Sequence, residues 1–247
     1  MKGFMWEIDN ASCSSKCYSS EMMKQSFLIF FLPVLFVGWA QTETKKRAPH
    51  PSVVAIEEVK GLPRVLLSGD SISMGYTLPV RKLLEGRANV LRIPANGGPT
   101  TRGLANIDKW LGDGKWDLIH FNWGIHDLRH MDDGKCQVES GAYESNLRKL
   151  VARLQGTGAT LVWATTTPIP DPPLIPDRTF GDEEAYNVIA ARVMKENAIP
   201  TDDLHAWMLP RFADLHSKQD LHYGDEGYEF LAEKVALEIE ANLNLSK

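Results

Sequence analysis

The stretch Arg64–Gly75, R-V-L-L-S-G-D-S-I-S-M-G, constrains the fold of this chain more than any other. A short apolar run, Val65 to Leu67, stops abruptly at Ser68-Gly69-Asp70-Ser71, and small residues then lead into a helix-like segment. A buried strand that ends in a tight glycine turn and presents a hydroxyl is how α/β hydrolases expose a nucleophile. Gly, Asp and Ser are also ordinary turn formers, so Ser71 acquires meaning only if later loops supply partners for it.

The remainder of the chain repeats the strand–loop–helix alternation. Strands are expected at Asn89–Ile93, Asp117–Trp123, Thr160–Ala164 and near Ile199–Thr201. The first helix is expected from about Thr77 to Glu85, with Pro79 acceptable in its first turn. A second opens at a Thr100 or Thr101 cap and carries Leu104, Ile107, Trp110 and Leu111 at helical spacing. Further helical patterns cover about Tyr143–Leu154, Asp182–Glu196, Leu204–Met208 and Gly227–Leu243. Pro168–Pro176 holds five prolines in nine residues, too many for a helix or a strand. Strands alternating with helices imply a mainly parallel five-stranded sheet covered on both faces, with ligands beyond the carboxyl ends of the strands. Each unusual loop follows a strand, so Ser71, Gly98, His126 and His222 are expected along one edge.

The first forty residues differ from the rest. Lys24 precedes an uncharged apolar run, Ser26–Ala40, interrupted by Pro33 and ending in small residues. This describes a secretory signal peptide that starts best at Met22 or Met23, which makes Met1–Glu21 an upstream extension. Cleavage near Ala40 would leave a secreted or periplasmic chain; an uncleaved anchor is the alternative, although the run is short for a membrane span. Residues 41–61 read as a polar linker and residues 62–247 as one domain, large enough for a full hydrophobic core. Removing residues 1–40 takes away Lys2, Lys16 and Lys24 together with Glu7, Asp9 and Glu21, so the net charge stays at −5. No basic stripe appears, which argues against a nucleic-acid partner. Cys136 would then be the one remaining cysteine, and stability must come from the core.

The hydroxyl of Ser71 needs a base, and His222, in the last loop before a helix, is the candidate. A surface histidine beside a helix cap has the same sequence appearance. An attacked carbonyl needs preorganised donors for its oxyanion. The backbone N–H groups of Ser71 and Gly98 could serve, and a ring N–H of His126 could be a third. Gly97-Gly98-Pro99 also reads as a plain turn, and His126 as a helix-start residue beside the capping carboxylate of Asp127. His120, His126, Asp127 and His130 invite a metal reading. Strand alternation places Leu118, His120 and Asn122 on one face, turning His120 away from the others. Trp110, Trp116, Trp123, Trp163 and Trp207 are scattered among expected core elements and read as packing.

Gly69-Asp-Ser71, Gly98, Gly124-x-His126-Asp127 and Asp220-x-His222 stand in the order of four sequence blocks. In this the chain resembles the SGNH, or GDSL-type, hydrolase superfamily over about Arg64 to Leu243. The resemblance implies a flavodoxin-like three-layer α/β/α sandwich, no cofactor, and cleavage of acyl esters of lipids or acetylated sugars. By position it makes Ser71 the nucleophile and His222 the base, with Ser71, Gly98 and His126 forming the oxyanion hole. Two departures stand out. The third block normally carries Asn where this chain has His126, and the triad acid normally lies three residues before the base, where this chain has Gln219. Asp220, two before His222, is the substitute candidate; a Ser–His dyad oriented by a backbone carbonyl is the other. Short loops without an apolar lid-like insertion favour small acyl groups, with acetyl esters of carbohydrate foremost and a lipase or lysophospholipase reading behind. A catalytically impaired glycan- or partner-binding module is the non-enzymatic alternative.

Overall fold

The computed structural model describes residues 48–171, 174, 178–218 and 220–245. The proposed upstream extension and signal peptide, and Gln219, lie outside the described residues. Five parallel strands form one sheet: β1 Arg64–Ser68, β2 Asn89–Arg92, β3 Leu118–Phe121, β4 Thr160–Ala164 and β5 Thr201–Asp202. Their order is β2-β1-β3-β4-β5, the flavodoxin-like arrangement that the family resemblance implies.

Seven helices are described among these residues: α1 Ser71–Leu83, α2 Thr100–Leu111, α3 Ser140–Gln155, α4 Asp182–Glu196, α5 Leu204–Met208, α6 Phe212–Leu215 and α7 Asp225–Leu243. Side chains alternate across the sheet and divide the core in two. Val65, Leu67, Val90, Leu118 and Val162 pack with Tyr76 and Val80 of α1 and Leu231, Val235 and Ile239 of α7. Leu66, Ile119, Phe121, Leu161 and Trp163 pack on the other face with α2, α3 and α4, through residues such as Ile107, Leu147 and Val193. Both faces are therefore covered, as an all-parallel sheet requires. Trp110, Trp123 and Trp163 are buried. Trp116 lies under the Arg64 guanidinium, and Trp207 stacks on Phe230. Cys136 is a free thiol.

Several boundaries differ from the sequence reading, each for a local reason. Helix α1 begins at Ser71, not Thr77, because the Asp70 carboxylate accepts the Ile72 N–H at 2.9 Å and caps the helix there. Pro79 therefore falls in the helix interior rather than its first turn, where it gives up the N–H that would meet the Gly75 carbonyl. Neither threonine caps α2 by its side chain; Pro99 holds the cap position, and Thr100 is engaged elsewhere. Strand β5 starts beyond Pro200, which offers no N–H but whose carbonyl accepts from Trp163 at 3.0 Å. Helix α7 begins two residues early, at Asp225. Within the segment read as a linker, Ser52 is fully buried and its carbonyl accepts from Arg81. Val59 exchanges hydrogen bonds with the Asn89 side chain. No helix among the described residues is long and apolar enough to cross a membrane.

Candidate active site

Because every strand runs the same way, the segments after β1, β2, β3 and β4 emerge at one edge of the sheet. The turn after β1 is held from several directions. Gly97 donates its N–H to the Gly69 carbonyl at 2.8 Å, and Asn122 donates to the Ser68 carbonyl at 2.9 Å. Arg92, at the end of β2 and 8 % exposed, donates to the carbonyls of Gly69 (2.8 Å) and Asp70 (2.9 Å) and to the Ser73 hydroxyl (2.7 Å). Burial lowers the Arg92 guanidinium to about 10, yet it stays charged at neutral pH. Its sequence signal is a single charge within the short strand Asn89–Ile93.

Ser71, half-buried at the first position of α1, meets His222: Ser71 Oγ and His222 Nε2 lie 2.8 Å apart. The far ring nitrogen, Nδ1, lies 2.7 Å from Asp220 Oδ1, and the His222 N–H also donates to that oxygen at 3.3 Å. The two-residue spacing therefore suffices for contact, in a loop whose flanking residues His216 and Tyr223 pair as an isolated bridge. Burial raises the Asp220 carboxyl. Its hydrogen bond to His222, the charge of that ring and the backbone N–H groups of His222 and Leu221 outweigh this and hold it below the ordinary carboxylate value. The pair is open to solvent, with side chains 41 % and 52 % exposed for His222 and Asp220.

The three proposed oxyanion donors stand differently. The Ser71 amide occupies the first turn of a helix, where no intrahelical carbonyl meets it. Gly98 adopts φ +60°, a left-handed conformation that suits glycine, and its amide donates to Asn96 Oδ1 at 2.9 Å. Asn96, in a loop of turn residues, carries no sequence pattern that marks this bond. The His126 ring has no hydrogen-bond partner among the described residues. Burial lowers its pKa; Asp70 opposes this, and the charges of Arg178, Arg129 and Arg102 add to it. The ring is therefore neutral at neutral pH, with one N–H to donate.

Asp127 ties two loops together where its sequence position suggests a helix cap. Its Oδ1 accepts both the N–H (2.9 Å) and the hydroxyl of Thr100, tying the loop that carries Gly98 to the loop that carries His126. Burial raises this carboxyl to about 7, against the two Thr100 hydrogen bonds. His120 and Asp202 form a buried pair at 2.9 Å beneath the sheet, and His130 pairs with Asp182 at 2.7 Å. Among the described residues no group of three or more His, Cys, Asp or Glu is placed to hold a metal ion.

A doubly covered parallel sheet with serine, imidazole and carboxylate in line at its carboxyl edge defines a class, the SGNH-type carboxylic ester hydrolases. The sequence profile of the GDSL-like lipase/acylhydrolase family matches residues 67–230, and the chain belongs to that family. A search of curated proteins returns no match. Among solved structures the chain is similar to a lipase/acylhydrolase from Enterococcus faecalis, with 20 % identity over 75 % of this chain and 98 % of that one and a TM-score of 0.64. It is also similar to an acetyl xylan esterase, with 17 % identity over 71 % of this chain and 99 % of that one and a TM-score of 0.62. A catalytic mutant of an acetylxylan esterase from Geobacillus stearothermophilus shares 19 % identity over 77 % of this chain and 98 % of that one, with a TM-score of 0.59. At these identities the likeness establishes the fold.

Proposed function

We propose that the protein is a secreted serine esterase that removes small acyl groups, acetyl foremost, from carbohydrate, through an acyl-serine intermediate. The observation that carries this is the Ser71–His222–Asp220 line, with contacts of 2.8 and 2.7 Å. His222 Nε2 takes the proton of Ser71 Oγ as the oxygen attacks the ester carbonyl, while Asp220 holds the proton on Nδ1 and stabilises the imidazolium. The tetrahedral oxyanion is met by the Ser71 amide, the Gly98 amide and the His126 ring, with Gly98 exchanging its bond to Asn96 for the substrate oxygen. The imidazolium then protonates the leaving alcohol. A water, deprotonated by His222, releases the acid and frees Ser71. The expectation of secretion rests on the apolar run Ser26–Ala40, and the acetyl and carbohydrate preference on short loops and on the named activity of two structural neighbours.

The test is hydrolysis of p-nitrophenyl esters of increasing chain length beside acetylated oligosaccharides, with Ser71→Ala as control. Activity confined to short chains and lost in Ser71→Ala is the expected result. A fluorophosphonate that forms no adduct at Ser71 in the folded protein would replace this reading with that of a binding module.

A further inference from the structure

The proline-rich stretch Pro168–Pro176, which follows β4, has no part in the mechanism above. The residues on either side of it are nevertheless tied to α4. The backbone of Thr166 exchanges hydrogen bonds with the Asn187 side chain, at 2.8 and 2.9 Å. Glu183, 1 % exposed, accepts the Ile169 N–H through one carboxylate oxygen at 3.1 Å and the Gly181 N–H through the other at 3.0 Å. One buried side chain thus joins the two ends of the connection between β4 and α4.

This connection meets the turn after β3 at two points. Thr166 packs against Gly124 so closely that a Cβ there would clash with its hydroxyl. Arg178, 5 % exposed, donates through Nε to the Ile125 carbonyl at 2.7 Å. That oxygen belongs to the peptide group that joins Ile125 to His126. A peptide group is planar, so holding its oxygen sets the direction in which the chain enters His126. No side chain among the described residues hydrogen-bonds the His126 ring, so its aim depends on the backbone that carries it. Thr100 and Val138 hold Asp127 on one side of His126, and Arg178 holds Ile125 on the other. A hydrogen bond from a guanidinium is among the stronger ones available for this.

We propose that Arg178 is a positioning residue for the oxyanion hole, fixing the Ile125–His126 peptide so that the His126 ring is aimed at the substrate oxygen. The proposal deepens the esterase reading and rests on its assignment of His126 as a donor. The connection after β4 thereby acquires a function, although none of its residues touches the reacting atoms.

A double-mutant cycle tests this. The kcat for p-nitrophenyl acetate is measured for the unsubstituted protein, Arg178→Gln, His126→Ala and the double variant, with Ser71→Ala as control. Arg178→Gln should lower kcat on the order of 10-fold and leave KM nearly unchanged, because a misaimed donor is missed chiefly in the transition state. In the His126→Ala background the same substitution should change kcat by less than about twofold, since no ring remains to be aimed. Arg178→Lys, which keeps the charge and a donor, should recover part of the loss, and it takes the place of Arg178→Gln in the cycle if that variant does not fold. The ring is also read without turnover. Its carbon–proton resonance, identified by its absence from His126→Ala, should shift in the Arg178 variant while that of His50, ahead of β1, stays in place. Equal losses in the two backgrounds would make Arg178 a structural residue and overturn the proposal, as would an unmoved His126 resonance. Full kcat in His126→Ala would overturn it together with the oxyanion assignment. Turnover that survives in Ser71→Ala would overturn the esterase reading and the proposal with it, whereas a failed cycle in a Ser71-dependent enzyme overturns the proposal alone.

Discussion

A neutral imidazole offers one N–H toward an oxyanion, and an asparagine amide in the same place can offer at least as much. His126, kept neutral by burial and by the arginines around it, can therefore replace the family's usual Asn provided its ring presents the protonated nitrogen. His126→Asn should keep kcat for p-nitrophenyl acetate within about tenfold, whereas His126→Ala should lose on the order of 10²–10³, the usual cost of a missing oxyanion donor. Equal kcat for His126→Ala and the unsubstituted protein would remove His126 from the mechanism. The carboxylate behind His222 poses a different problem, because its side chain is 52 % exposed. An exposed amide can turn its oxygen toward Nδ1–H and keep the productive tautomer. Asp220→Asn should therefore cost less in kcat than the ~10⁴ found when a buried triad carboxylate is replaced, and Asp220→Ala should cost more than Asp220→Asn. If the two variants are equally active, Asp220 does not orient the ring.

At the scale of elements, His222 reaches Ser71 because α7 packs against α1. Tyr228 of α7 packs against Gly75 of α1, so close that a Cβ on Gly75 would sit 2.0 Å from its ring. Tyr228 in turn meets Tyr223 edge to face, next to His222. Gly75→Ala must push this pair aside, and overpacking of that kind typically costs ~1–3 kcal/mol. Urea denaturation should show the loss, and kcat should fall with it because the displaced tyrosines carry the His222 loop. An unchanged denaturation midpoint would mean that α7 moves away without penalty. The same contact marks what the sequence could and could not disclose. Strand β4 and helices α4 and α5 fall where their patterns put them, since each has a clear period and a clean stop. The start of α1 was missed because Ser-Ile-Ser-Met-Gly has poor helix propensity, which the Asp70 cap and the packing of Tyr228 override. Ser71, His222 and Asp220 were legible as blocks in order. Arg92, Arg178 and the Thr100–Asp127 tie were not, because each works through a partner 19 to 53 residues away with no local pattern to announce it.

For the whole molecule, the ties that assemble the edge also set how stability responds to pH. Asp127 is fully buried and raised to about 7, so between its ordinary value of 3.8 and that point the folded chain holds a proton that the unfolded chain has released. Stability from this group is present at low pH and is lost as pH rises toward 7. His205 acts in the same direction. Its hydrogen bond to buried Glu183 raises its pKa against the effect of burial, so its contribution is full below 6.5 and is lost as pH climbs through the folded value. Asp220, Glu144 and Glu196 are lowered instead, and their contributions fade only as pH falls below the ordinary carboxylate range. Those of Glu144 and Glu196 are further weakened by solvent screening. Stability should therefore be greatest under mildly acidic conditions and decline by about 2–3 kcal/mol between pH 5 and pH 8, at 1.4 kcal/mol per unit while Asp127 keeps its proton. Asp127→Asn, which cannot release a proton but can still accept both Thr100 bonds, should flatten most of that decline and leave the smaller part due to His205. Chemical denaturation of both proteins at the two pH values decides the matter. A decline of the same size in both would show that Asp127 enters the fold already charged, and would assign the slope to His205 and groups like it.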